Sequence, residues 1–111
     1  MTEFAMLAET LLFLESDAET IDGESLERLE DEYSVFCDQL PVDFDPETAW
    51  RGAGCAYDAF AYDWLMTRAG TGVGFWETSD WEEGAGTMLT ELCRKQGSLE
   101  TYTEDAKAYV Y

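Results

Sequence analysis

Three short stretches of this chain place chemistry-bearing residues at suggestive spacings. In "RAGTGVGFWE" (68–77), Gly70, Gly72 and Gly74 alternate behind Arg68, and a Gly-rich loop beside a basic residue can cradle phosphate. In "DFDPE" (43–47), Asp43, Asp45 and Glu47 alternate like a fragment of a calcium loop. In "SDWEEG" (79–84), Trp81 stands among Asp80, Glu82 and Glu83, where an indole ringed by carboxylates suits a cation.

Chemistry sets demands that the first two stretches do not meet. A phosphate loop needs a helix N-terminus after its glycines, whereas Phe75 and Trp76 follow here and read as strand. The glycines are therefore expected to make a tight turn. "DFDPE" lacks the glycine and the distant bidentate Glu of a calcium loop, and Asp45 before Pro46 reads as a helix cap. The chain has no His, which removes Ser-His-Asp and Cys-His machinery and the usual zinc sites. Cys37, Cys55 and Cys93 are widely spaced and read as reduced, mostly buried thiols. No carboxylate pair is singled out for acid–base work. The expectation is a protein that is not an enzyme and needs no cofactor and no metal.

Charge points elsewhere. Twenty-five Asp and Glu oppose six Lys and Arg, for a net charge of −19. Such a body repels phosphate, so direct binding to nucleic acid or to an anionic membrane is excluded and the expected partner is a basic protein. The carboxylates are densest in 24–38: Glu24, Glu27, Glu30, Asp31, Glu32 and Asp38, with Arg28 nearly alone among them. On a helix, four-residue steps rise about 6 Å, a spacing that can imitate successive phosphates. The expected partner-binding set is this group together with Asp80, Trp81, Glu82 and Glu83. For Trp81 two readings stand side by side: an indole folded back into the core, or an exposed anchor for an Arg-rich partner.

The elements that position these residues read as α+β: three N-terminal helices followed by a ββαββ unit with a small antiparallel sheet, all in one domain spanning 1–111. Aromatic residues make up 14% of the chain, enough to offset the entropy of ordering despite the charge. Phe4, Leu7, Leu11 and Leu14 recur at helical spacing, and the wide apolar face suits a central helix or a homodimer contact. Ser25 is placed as the cap of a second helix carrying Leu26, Leu29, Tyr33, Phe36 and Leu40 on one face and ending at Pro41. Trp50, Ala53, Tyr57, Phe60 and Trp64 give a third helix starting at Asp45. "YDWLMTR", "AGTG" and "VGFWE" then read as strand, turn and strand. A fourth helix with Met88, Leu89 and Leu92 inward is capped by Gly97, and "LETYT" and "AYVY" close a second hairpin. No targeting or membrane-spanning segment is expected, because the apolar run at 4–14 is short and interrupted by Glu9.

The stretch 62–77 resembles the hallmark of a family of small phage-encoded proteins, of the form F-W-L-T-R-N-G-H-G-x-G-F-W-D. The match runs through Trp64, Leu65, Thr67, Arg68, Gly70, Gly72, Gly74, Phe75 and Trp76, with Glu77 for the Asp, and extends over about 57–111. Ala69 stands for the family's Asn and Thr71 for its His, so chemistry using those side chains is absent. The resemblance implies phage origin and a hairpin at 62–77; it implies no reaction.

Together these features lead to one expectation: a phage-encoded acidic inhibitor of a bacterial DNA-targeting defence (anti-CRISPR or anti-restriction). It would act in the host cytoplasm as a DNA mimic that fills a basic DNA-binding groove. Two alternatives are a phage structural or regulatory protein binding a host or virion protein through its aromatic hairpin, and a solvated domain adapted to high salt.

Overall fold

A computed structural model describes residues 3–76 and 80–111. The chain is α+β. Among the described residues, α1 (Glu3–Leu14), β1 (Thr20–Ile21), α2 (Gly23–Asp38), α3 (Pro46–Ala49), α4 (Ala56–Ala69) and α5 (Ala85–Gln96) precede β2 (Thr101–Glu104) and β3 (Lys107–Val110). The three strands form one sheet in the order β1-β3-β2. It is mixed rather than antiparallel, because β1 joins β3 in parallel while β2 and β3 make the expected hairpin. Asp105 and Ala106 turn that hairpin with φ of 51° and 62°, the paired left-handed conformation of a type I′ turn.

The helices follow local chemistry. Asp22, not Ser25, caps α2: its carboxylate accepts a 3.0 Å hydrogen bond from the Ser25 N–H. That satisfies one of the orphan donors of the first turn. Leu29, Tyr33 and Phe36 are buried as their spacing predicts, while Leu26 and Leu40 are half-buried. Asp45 caps α3 as expected, accepting from the Glu47 N–H at 2.9 Å, but this helix lasts four residues. At Trp50 the backbone turns extended and bridges to Trp81, so the predicted third helix is split into α3 and α4.

No hairpin forms at 62–76, and Glu77 lies outside the described residues. Instead α4 runs unbroken through "YDWLMTRA" to Gly70, which takes the left-handed conformation (φ 69°) that stops it. The Thr71 N–H then reaches back to the Met66 carbonyl at 3.4 Å, completing a Schellman cap. The glycine-rich stretch is thus a helix stop. Gly74 has a separate reason: a Cβ there would collide with the Thr67 hydroxyl and the Trp76 ring.

The core is aromatic. Phe36 of α2 stacks on Phe75 (ring centroids 6.0 Å, 12° between planes), and Phe60 of α4 meets Phe75 at 5.4 Å and Trp81 at 5.9 Å. Leu7 and Leu11 of α1 are fully buried in the same cluster, which makes α1 a core helix of its own chain; Phe4 and Phe13 remain exposed. In α5, Leu89 and Cys93 are buried, whereas Met88 and Leu92 are half-buried. Among the described residues no helix is long and apolar enough to cross a membrane.

Candidate functional site

α2 presents its carboxylates unevenly. Glu24, Glu27, Asp31 and Asp38 lie on its exposed face with Arg28, Ser34 and Val35. Among the described residues none of these four carboxylates has an ion-pair partner or a side-chain hydrogen bond. Glu24 suits the positive end of the helix dipole; Asp38 sits at the negative end, where a carboxylate is unfavourable. Glu30 is turned partly inward.

Glu32 departs from the predicted row of solvated charges. Its Oε1 accepts from Arg68 Nη2 at 2.7 Å, and the Arg68 side chain is only 2% exposed. Arg68 Nε also donates to the Gly97 carbonyl, and the guanidinium lies 5.4 Å from the centre of the Trp64 ring. Gln96 finishes the arrangement, donating to the Glu32 carbonyl at 2.7 Å and accepting from the Trp64 indole at 3.1 Å. Arg68 therefore clamps α2, α4 and the end of α5, and Glu32 belongs to the scaffold.

Trp81 resolves to the core reading. It is 3% exposed, and its indole N–H donates to Asp63 Oδ2 at 2.8 Å. A buried indole N–H needs such an acceptor, and Asp63 on α4 supplies it. The backbone on either side is tied down as well, with Arg51 N–H donating to the Asp80 carbonyl at 2.8 Å and Glu82 N–H to the Ala49 carbonyl at 2.7 Å. Trp81 is not an exposed anchor. Asp80 is half-buried, whereas Glu82 and Glu83 stay exposed.

Trp76 is exposed, at 41%, while its neighbour Phe75 is fully buried. Trp76 borders a cleft of about 440 Å³ whose lining includes Phe75, Trp81, Glu82, Glu83 and Glu91. A hollow of about 240 Å³ adjoins it, sharing Trp76, Thr90 and Arg94 and reaching Arg68. The sequence reads Trp76 as a core residue of the predicted hairpin, and the structure corrects this: only the Phe75 ring enters the core.

The thiols split three ways. Cys93 is buried, Cys37 half-buried and Cys55 exposed ahead of α4, contrary to its expected burial. Burial pushes the Cys93 thiol up to about 12 against the opposing pull of Arg68, and the Cys37 thiol up to about 11. Among the described residues no group of three or more Cys, Asp or Glu is arranged to hold a metal ion. No family model, curated protein or solved structure matches this chain.

Proposed function

We propose that this chain is a phage-encoded acidic inhibitor of a bacterial DNA-targeting defence, acting in the host cytoplasm as a DNA mimic. Its partner is a basic DNA-binding protein of an anti-phage system, CRISPR or restriction, whose Lys/Arg groove it fills. The reading involves no catalysis and no cofactor. One observation carries it: Glu24, Glu27, Asp31 and Asp38 stand along an exposed helix face with no ion-pair partner among the described residues. From Glu24 to Asp38 that face rises about 21 Å at 1.5 Å per residue. Charges so arranged repel one another in the free protein and gain attraction only when a basic groove closes over them. The resemblance of the Trp64–Trp76 stretch to small phage proteins supports the origin.

The test is capture followed by competition. Immobilised chain should retain a basic DNA-binding protein from host lysate, and duplex DNA should release it. Retention of capsid or tail proteins that duplex DNA does not release contradicts the mimic and favours a phage interaction protein. The exposed Trp76 suits that second reading, in place of the aromatic hairpin that does not form.

A further inference from the structure

The cleft beside Trp76 has features that an acidic surface alone does not explain. The edge of the Trp76 ring lies against Gly74, where a Cβ would collide with it, while 41% of the residue stays exposed. Behind it, the buried Phe75 and Trp81 line an apolar interior. The rim is acidic. Glu91 is held by Arg94 at 2.6 Å, and Glu82 lies 4.0 Å from Arg51. Glu83 has no cationic partner among the described residues.

These features restrict the occupant by charge. An anion meets three carboxylates against one guanidinium, Arg94, which also lines the cleft and is already engaged by Glu91, and a neutral apolar group entering the cleft strips water from Glu83 without replacing it. A cation with an apolar flat face meets both demands. Guanidinium fits: it is planar, weakly hydrated, stacks on an indole and donates two parallel hydrogen bonds to a carboxylate. An ammonium group is compact and strongly hydrated, so it loses more on leaving water.

We infer that this cleft takes the side chain of one arginine from a basic protein partner, stacked on Trp76 and paired with Glu83. The inference rests on the proposed function for the identity of the partner, and it adds a specific pocket to a non-specific charge attraction. It also gives the inhibitor a means of choosing among basic grooves, since α2 alone attracts any of them.

Acetylated, amidated tri-arginine and tri-lysine carry the same charge and separate these contributions. Titrated into the intact chain and followed by tryptophan fluorescence and NMR, tri-arginine should bind at least fivefold more tightly than tri-lysine. Trp76→Ala and Glu83→Lys should each abolish that preference, the second without touching the aromatic packing. A chain carrying Glu24→Gln, Glu27→Gln, Asp31→Asn and Asp38→Asn should keep it. Equal binding of the two peptides by the unaltered chain, or an undiminished preference in Trp76→Ala, overturns the pocket. Capture of the host DNA-binding protein separates the two proposals. If the α2-neutral chain fails to capture it while Trp76→Ala and Glu83→Lys capture it normally, the mimic stands and the pocket falls. If only the cleft variants fail, the pocket stands and the mimic falls.

Discussion

Arg68 and Glu32 meet at 2.7 Å, joining α4 to α2 through a guanidinium almost sealed from solvent. In a chain of net charge −19 this is a selective use of a cation. Arg68 is held by one carboxylate, one carbonyl and an aromatic face, whereas the exposed α2 acids have no such partner among the described residues. Removing Glu32 leaves the guanidinium without its counter-ion. Glu32→Ala should lower stability by about 3 kcal/mol. Glu27→Gln and Asp31→Asn should each stay within about 0.5 kcal/mol of the parent. Urea unfolding at neutral pH checks all three, and equal effects would show that Glu32 is only another surface acid.

The two neighbouring tryptophans should separate just as clearly. Trp81 is buried against Phe60 and Phe75 and bonded to Asp63, so Trp81→Ala should cost about 3–5 kcal/mol. Trp76→Ala should cost less, about 2 kcal/mol, since 41% of the residue already faces water. Thermal melts of the two variants decide this, and a larger loss at Trp76 would place that ring in the core.

Much of α2 is legible in the sequence, because only one face of it is apolar and Leu29, Tyr33 and Phe36 keep helical spacing. The second half of α4 is not. α4 as a whole packs against α1, α3 and α5, and the run of buried residues from Phe60 to Arg68 blurs the period, while the glycines that end the helix imitate a hairpin turn. β1 is two residues long and pairs with a strand 87 positions later, as in Thr20 with Lys107, so no local pattern announces it. The fate of Trp81 depended on an acceptor at Asp63, and that of Glu32 on Arg68, both supplied by a distant turn of α4. The acidity of the surface was visible at once; which acids serve the fold required the packing.

Gly70 offers a clean backbone test. It holds φ at 69°, and a Cβ there would touch nothing within 4 Å. Gly70→Ala should therefore destabilise by about 1 kcal/mol through conformation alone. Thermal unfolding measures it, and an unchanged midpoint would contradict the left-handed helix stop.

Alkaline pH should expose the buried thiols. Burial raises Cys37 to about 11 and Cys93 to about 12, from an ordinary value of 9.0. The folded state thus favours their neutral forms. This contribution is fully present below about pH 9 and is lost as pH rises through the folded values. Burial and the Glu3 bond push the Tyr33 hydroxyl in the same direction. Urea midpoints should fall steadily above pH 9. At pH 8 a thiol reagent should modify the exposed Cys55 well before the other two, which mass spectrometry of digests can resolve.

The central claim is that the exposed face of α2 occupies a DNA-binding groove, and competition measures it most directly. With the captured host protein and labelled duplex DNA, the intact chain should displace the DNA, and its potency should fall as salt rises from roughly 50 to roughly 500 mM, because the screening length is already about 8 Å at 0.15 M and shortens further with salt. The chain carrying Glu24→Gln, Glu27→Gln, Asp31→Asn and Asp38→Asn should displace it at least tenfold less well while remaining as stable as the parent. Displacement at full strength by that neutralised chain, or a ternary complex in which DNA and the intact chain are bound together, would contradict the account.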